Sequence, residues 1–183
     1  MKTSQTDILI LPGMGGGGPD YWYERWGKKL STARRVEQEN WDQPILKDWC
    51  ETVIEAVATA KQPVVLIGHS LGVVTAVHVA NKMNAEKIVG AYLVAPPDIP
   101  NVLDELPEIA EFHPTSNDPL PFPSVLVAST DDPYCDIQRA EDLAYTWGSK
   151  FENAGASGHI NAESGQGPWP EGLLSFAQFM ARL

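Results

Sequence analysis

The sequence is short of several features that would assign it to a special class. Its 183 residues include only two cysteines, Cys50 and Cys135, too few for the disulfide framework of a small secreted domain. Positive charge is scarce, since 13 Lys and Arg stand against 24 Asp and Glu, a formal net charge of −11. This balance argues against a nucleic-acid partner. No apolar run approaches the roughly 20 residues that span a bilayer. We therefore expect a cytoplasmic protein without membrane partners.

Short β-branched runs alternate along the chain with longer helical patterns. The predicted strands are Asp7–Leu11, Arg35–Gln38, Val64–Ile67, Lys87–Val94, Ser124–Ala128 and Lys150–Glu152. The predicted helices are Asp20–Leu30, Ile45–Ala60, Ser70–Met83, Asp136–Trp147 and Pro170–Leu183. Such an alternation, with near-continuous apolar strands, is typical of a parallel sheet covered by helices on both faces. We therefore predict one α/β domain over residues 1–183, with a mainly parallel six-stranded sheet in the order 2-1-3-4-5-6.

One segment, Pro96–Pro123, breaks this alternation. It is rich in proline and acidic residues and shows little periodicity. We predict a loop excursion between two strands, with one short helix at Val102–Phe112. Excursions of this kind in α/β proteins lie at the carboxyl ends of strands, where ligands bind. A poorly ordered surface loop is the alternative interpretation.

The pattern around Ser70 is typical of a nucleophile elbow. A β-branched strand leads into GHSLG, residues 68–72, and a long apolar helix follows. In such a turn the serine is strained, and side chains two residues to either side would collide with backbone, so both positions require glycine. The amide of Leu71, at the helix N-terminus, would face a developing oxyanion. The alternative is a tight turn between strand and helix with an idle serine.

A nucleophilic serine needs a base, and the chain has four histidines. His69 lies inside the elbow and cannot turn back onto the neighbouring hydroxyl. His78 lies two turns into the apolar helix, and His113 precedes the late acidic candidates, although the expected chain order is serine, acid, histidine. His159 follows the last predicted strand in a glycine-rich loop, which emerges at the same sheet edge as the elbow. We therefore predict His159 as the base; a loop histidine that caps the next segment is the alternative.

The candidate acids follow the fifth predicted strand, in the sequence STDDPYC. Pro133 restricts the residue before it to extended conformations, so we prefer Asp132 to Asp131. The alternative is that both aspartates only build the turn and cap the helix that begins near Asp136. Cys135 has no histidine within a few residues and is expected to be unreactive.

A glycine run, in the sequence LPGMGGGGPD, follows the first predicted strand. Opposite an elbow, this loop would supply a second oxyanion amide, from Met14. The same loop, Gly13–Gly18, also matches the dinucleotide fingerprint G-x-G-x-x-G, with Glu37 about twenty residues further on. A run of four glycines matches such a pattern easily, however, and the residues after Gly18 still resemble a loop rather than a helix.

Four motifs, LPGMGG, IGHSLG, STDDPYC and GHINAESG, occur in this order from about Asp7 to the C-terminus. Together they resemble the retinoblastoma-binding protein 9-like family of small serine hydrolases in the α/β-hydrolase superfamily. The resemblance implies a compact hydrolase without a large lid, with Ser70 as nucleophile, Asp132 as acid and His159 as base. One departure is Pro12, which stands where many other α/β-hydrolases carry histidine before the loop glycine.

The residues and the resemblance together predict a hydrolase of small-molecule esters, with amides and thioesters as alternative substrates. The amides of Met14 and Leu71 would hold the oxyanion, and water would hydrolyse the acyl-enzyme. No metal or organic cofactor is expected. Two other classes stay open. One is the dinucleotide-binding enzyme described above, and the other is a catalytically idle hydrolase fold that binds a protein partner through Trp22, Trp26 or Trp169.

Overall fold

A six-stranded parallel sheet forms the centre of the protein. The computed structural model describes residues 1–82 and 85–183. Its strands are β1 (Asp7–Leu11), β2 (Ala33–Arg35), β3 (Val64–His69), β4 (Ile88–Val94), β5 (Ser124–Ala128) and β6 (Lys150–Asn153). They pair in the order β2-β1-β3-β4-β5-β6, and every pair is parallel. The predicted sheet and its order are confirmed. The winding direction reverses between β1 and β3, where open α/β sheets form their ligand crevice.

Helices cover both faces of the sheet. They are α1 (Trp22–Lys29), α2 (Leu46–Ala58), α3 (Leu71–Lys82), α4 (Ile99–Val102), α5 (Ile137–Thr146) and α6 (Pro170–Arg182). Buried side chains of α1 and α6 pack on one face, and those of α2, α3 and α5 pack on the other. The predicted helix end at Met83 lies outside the described residues. Within the described ranges, the chain contains no helix long and apolar enough to cross a membrane.

The central strands are apolar because both of their faces are covered. Every residue of β3 and of β5 is buried, as expected for strands between two layers of helices. The edge strand β2 is different, since none of its residues is fully buried. The predicted position of this strand, Arg35–Gln38, was therefore wrong: β2 pairs residues Ala33–Arg35 with β1. A half-exposed edge strand lacks the apolar run that marks a buried one.

The Pro96–Pro123 excursion contains two short helical segments instead of the single predicted helix. The first is α4, and the second is a 3₁₀ helix at Pro107–Phe112. Pro107 has no N–H to donate to the preceding turn and its ring obstructs that turn, so one continuous helix cannot form. Buried side chains of both segments pack with Leu71 and Val74 of α3 in one apolar cluster. The excursion therefore lies against the start of α3, next to the elbow.

Candidate active site

The backbone at Ser70 has the strained conformation of a nucleophile elbow. Its φ is 54°, and its N–H donates to the carbonyl of Val94 at 3.0 Å. A Cβ placed on Gly72 would lie 2.0 Å from the carbonyl oxygen of Leu11, and one on Gly68 would lie 3.0 Å from the backbone of α3. Both glycines are therefore required by close approach of backbone, as the sequence pattern predicts.

The glycine loop after β1 lies directly against the elbow. A Cβ on Gly13 would lie only 2.7 Å from the Cβ of Ser70. The two amides that follow Met14 both donate to backbone carbonyl groups, which holds the loop in a tight turn. In the described part of the chain, the N–H groups of Met14 and Leu71 have no acceptor within the protein. Both residues line the same cavity as Ser70. Two unused donors beside a hydroxyl are suited to hold an oxyanion.

Three side chains form one hydrogen-bonded chain at the carboxyl edge of the sheet. The hydroxyl of Ser70 donates to Nε2 of His159 at 2.9 Å. The Nδ1–H of His159 donates to both carboxylate oxygens of Asp132, at 2.9 and 3.0 Å. The carboxylate side chain is only 2% exposed and the imidazole 9%. An ionised carboxylate can only accept hydrogen bonds, so it fixes the imidazole tautomer that leaves Nε2 free to accept the serine proton.

Tyr134 supports this chain, although it was not among the predicted site residues. Its backbone N–H donates to Oδ1 of Asp132 at 2.9 Å. Its ring meets the His159 ring nearly edge-on, with 4.6 Å between centroids. Tyr134 therefore orients the carboxylate and packs against the imidazole. The signal in the sequence was its place two residues after the acid, within the STDDPYC motif.

The neighbouring carboxylate, Asp131, contacts the loop before His159 and makes no hydrogen bond to the imidazole. Its Oδ1 accepts the N–H of Gly158 and the hydroxyl of Ser129, both at 2.7 Å. The Ser129 oxygen in turn accepts the N–H of Ser157 at 2.9 Å. The Ser129 hydroxyl, followed by the Gly158 amide, lowers the pKa of Asp131 because both donate to its ionised form. Asp131 thus fastens the loop that carries the imidazole.

His69 has a structural contact that sequence reasoning missed. Its Nε2–H donates to the backbone carbonyl of His159 at 2.9 Å in a buried position. Burial, together with the nearby His159, lowers the pKa of His69 to about 3. The ring is therefore neutral at physiological pH. The available signal was its position at the end of a buried strand, where a polar side chain requires a hydrogen-bond partner.

The two remaining histidines lie away from Ser70. His78, on α3, donates from Nε2 to the carbonyl of Phe112 at 3.0 Å and so fastens the excursion to the helix. Burial lowers its pKa. His113 lines a different cavity, between the excursion and α5. The structure therefore brings His159, of the four histidines, to the serine hydroxyl.

Ser70 opens into a cavity of roughly 180 Å³. Its walls come from the glycine loop, the elbow, the loop that carries His159, and the excursion, which contributes Leu106 and Ile109. The volume is well below the roughly 300–1,000 Å³ of sites that hold drug-sized ligands. The excursion lines the cavity, as its place in the chain predicts.

Several features argue against the two other classes, a catalytically idle fold that binds a protein partner and a dinucleotide-binding enzyme. Trp22, Trp26 and Trp169 are all buried in one aromatic cluster, so they present no surface to a protein partner. The helix after the glycine run begins at Trp22, beyond Gly18, whereas the last glycine of a dinucleotide fingerprint lies where the helix opens.

Burial raises the pKa of the Cys135 thiol to about 12, so it is not a nucleophile at neutral pH. Among residues 1–82 and 85–183, no group of three metal-ligating side chains could hold an ion.

The sheet order, the elbow and the loops that face it define an α/β-hydrolase. The chain belongs to the serine hydrolase family, whose model matches residues 8–178. A Pectobacterium atrosepticum protein described as a YdeN-like hydrolase is 33% identical, with a TM-score of 0.86 over 97% of this chain and 91% of that one.

More distant solved structures share the fold. The ydeN gene product of B. subtilis is 18% identical, with a TM-score of 0.79 over 97% of this chain and 99% of that one. The esterase domain of a Rhodothermus marinus protein is 15% identical, with a TM-score of 0.68 over 94% of this chain and 86% of that one. No curated protein sequence matches the chain significantly.

Proposed function

We propose that the protein hydrolyses carboxylic esters of small molecules, with Ser70 as nucleophile, His159 as base and Asp132 as the acid that orients it. The observation that carries this proposal is the continuous hydrogen-bonded chain from the Ser70 hydroxyl through the imidazole to a buried carboxylate. The same arrangement would act on amides or thioesters. The name of the Rhodothermus esterase domain, which shares the fold, agrees with ester chemistry.

The first half of the reaction forms an acyl-enzyme. Ser70 Oγ attacks the carbonyl carbon while His159 Nε2 takes the serine proton. The carbonyl oxygen becomes an oxyanion, held by the amides of Met14 and Leu71. When the tetrahedral intermediate collapses, the bond to the leaving group breaks and the imidazolium gives its proton to the leaving oxygen. Asp132 stabilises the imidazolium throughout.

The second half releases the acid. Water attacks the acyl carbon, His159 takes the water proton, and a second oxyanion forms at the same two amides. Collapse of this intermediate returns the proton to Ser70 Oγ. In the overall reaction, one water is consumed for each ester, and an alcohol and a carboxylic acid are formed. The proposed mechanism uses no metal or organic cofactor.

A fluorophosphonate probe tests the nucleophile. We expect the wild type to be labelled and to hydrolyse p-nitrophenyl acetate, and Ser70→Ala to lose both properties while its thermal unfolding stays cooperative. Ser164 lies in the loop after His159, and its hydroxyl hydrogen-bonds only to the backbone of Asn161, so Ser164→Ala is the control. Absence of labelling in a folded wild-type sample would contradict the proposal and favour a catalytically idle fold.

We further infer, from the four motifs, that the chain is closest in kind to the retinoblastoma-binding protein 9-like group within the serine hydrolase family. A cytoplasmic setting belongs to the same proposal. Both cysteines are buried free thiols, as suits a reducing compartment.

A further inference from the structure

The cavity beside Ser70 has two unlike walls. One wall is apolar and includes Leu71, Leu106 and Ile109, which belong to or pack against a single cluster of buried side chains. Leu106 and Ile109 come from the excursion, and their cluster joins them to the start of α3. The side chains of this wall are thus packed among other apolar side chains.

The other wall is polar and opens outward. It includes His159 and Asn161 from the loop after β6, and Tyr21 from the segment before α1. Tyr21 and Met14 also line an open groove of roughly 820 Å³ between the glycine loop and residues 162–168. A molecule that enters the cavity can therefore extend into this groove on the polar side.

The chemistry decides which part of a substrate lies on each side. His159 must give its proton to the leaving group, so that group has to lie beside His159 and the polar wall. The acyl group is then left with the apolar wall, in a cavity of roughly 180 Å³. We propose that the substrates are esters with a short apolar acyl group and a larger leaving group, and that Leu106 limits the length of the acyl group. This inference rests on the proposed function.

The excursion offers a matched pair of leucines for the test. Leu103 and Leu106 are both half-buried, and both pack against the same apolar cluster. Leu106 lines the cavity, and Leu103 is not among its lining residues. Truncation of either leucine removes the same number of atoms from the same cluster. A general loosening of the excursion would therefore affect both variants, whereas a specific effect on the acyl group would affect only Leu106→Ala.

The experiment measures kcat/KM for p-nitrophenyl acetate, butyrate and octanoate, which share one leaving group. For the wild type we expect the octanoate value to lie about tenfold or more below the butyrate value, since a few surplus methylenes do not fit. Leu106→Ala should raise the octanoate-to-butyrate ratio by about tenfold. Leu103→Ala should leave that ratio within about twofold of the wild type, and Leu106→Phe should lower it further.

Two outcomes would overturn the inference. One is a wild-type kcat/KM that rises with acyl length up to octanoate, and the other is an equal change of the ratio in Leu103→Ala and Leu106→Ala. In both cases fluorophosphonate labelling of Ser70 would persist, so the proposed function would stand. Loss of that labelling in the folded wild type would instead remove the proposed function itself.

A separate observation concerns the backbone next to His159. Two consecutive carbonyl groups there accept hydrogen bonds from buried side chains. His69 Nε2–H donates to the carbonyl of His159 at 2.9 Å, and Trp22 Nε1–H donates to that of Ile160 at 2.8 Å. Both donors come from distant parts of the chain, the elbow and α1. The backbone of His159 is therefore hydrogen-bonded directly to the segment that carries Ser70.

These hydrogen bonds act on a strained segment. Ile160 has a φ of 47°, in the left-handed region that β-branched residues rarely adopt. Such a conformation persists only where the surrounding structure holds it. We infer that His69 and Trp22 are positioning residues, which keep the His159 imidazole within reach of Ser70 Oγ. This second inference also rests on the proposed function.

Helix α1 supplies the matched control. Trp22 and Trp26 are both buried in the same aromatic cluster, but Nε1 of Trp26 has no partner in the described part of the chain. With p-nitrophenyl acetate, Trp22→Phe should lower kcat by about tenfold, as expected for a displaced catalytic group, with KM nearly unchanged. Trp26→Phe should keep kcat within about twofold. His69→Leu should behave like Trp22→Phe, and His69→Gln, which keeps an N–H donor, should recover most of the rate.

Equal values of kcat in Trp22→Phe and Trp26→Phe would overturn this second inference, because packing alone would then explain the effect. Failure of His69→Gln to exceed His69→Leu would also overturn it. Both comparisons are made on variants that label with fluorophosphonate, so a failure of this inference is distinguishable from a failure of the proposed function.

Discussion

The elbow and the loop that carries His159 meet at one cavity, but they are held in place in different ways. The elbow depends on three glycines. Because Gly13, Gly68 and Gly72 have no Cβ, three stretches of the chain approach one another more closely than a side chain allows. The His159 loop is positioned by side chains that reach it from elsewhere, Asp131 from the turn after β5 and His69 from the end of β3. One half of the site is built by close backbone packing and the other by hydrogen bonds.

This difference predicts how each half responds to substitution. Backbone that is closely packed has no room to relax, so an added methyl group should damage the whole fold. A loop held by several hydrogen bonds should lose them one at a time, with a loss of activity that depends on which bond is removed. The two halves should therefore differ in how much stability and how much activity a single substitution removes.

The largest effect is expected for Gly72→Ala. Its methyl group would lie 2.0 Å from the Leu11 carbonyl oxygen, and neither backbone can move without disturbing the sheet. We expect a loss of at least about 3 kcal/mol in the free energy of unfolding, measured in urea. Gly18→Ala is the matched control, since a Cβ there meets nothing within 4 Å, and its cost should stay within about 0.5 kcal/mol. A cooperative, equally stable Gly72→Ala protein would contradict this account of the elbow.

Asp132→Asn should leave the fold intact and remove nearly all activity. The amide cannot stabilise the imidazolium, and its N–H₂ group favours the wrong imidazole tautomer, so kcat should fall by about 10⁴-fold. Asp131→Asn should cost less than about threefold, because Asp131 makes no hydrogen bond to the imidazole. The measurement is kcat for p-nitrophenyl acetate in both variants. If Asp131→Asn were the more damaging change, the acid would have to be reassigned.

Asp131→Ala should lower kcat more than Asp131→Asn does, and much less than Asp132→Asn does. Asparagine keeps an oxygen to accept the Gly158 N–H and the Ser129 hydroxyl, whereas alanine removes it. We expect kcat to fall by roughly fivefold to tenfold in Asp131→Ala, as for a slightly displaced catalytic group. Hydrogen exchange of the Gly158 amide should become faster in the alanine variant alone. Equal rates and equal exchange in the two variants would show that Asp131 does not fasten the loop.

The last expected effect is a dependence of stability on pH. The pKa of His69 is lowered to about 3 in the folded protein, against an ordinary value of about 6.5. Between these values the unfolded chain binds more protons, so stability falls as the pH falls from about 6.5 toward 3. The wild-type Tm should therefore approach that of His69→Gln between pH 7.5 and 4.5. Carboxylates such as Asp131 titrate in both proteins and cancel. A constant difference in Tm would contradict a buried neutral His69.

The fold was predictable where local pattern and burial coincide. Central strands such as β3 and β5 are buried throughout because helices cover both faces, so their apolar runs can be recognised in the sequence. The errors fell on the edge strand β2 and on the excursion. In β2 a half-exposed strand carries no apolar run, and in the excursion Pro107 divides one expected helix into two segments. The position of β2 is set by its pairing with β1, which is a long-range contact. The division of the excursion follows instead from Pro107, a local signal that the prediction of a single helix overlooked.

The candidate site also has a part that could be predicted from the sequence and a part that could not. Ser70 is recognisable because its requirements are local: a buried strand, two glycines at fixed spacing and a helix. Asp132 and His159 followed from chain order after later strands, and the structure joins all three by hydrogen bonds. The contacts of His69 and Trp22 with the backbone of residues 159 and 160 were not predictable, because they link segments far apart in the sequence.

The sequence alone thus determined the sheet order, the elbow and the three side chains Ser70, Asp132 and His159 that hydrogen bonds join, because each depends on periodicity, glycine spacing and the order of segments. The tertiary contacts set how His159 is held, which side chains line the apolar wall and how small the cavity is. These properties depend on distances between segments that only packing brings together. The spacing of glycines can be read directly from the sequence, whereas the hydrogen-bond acceptor of a buried N–H group cannot.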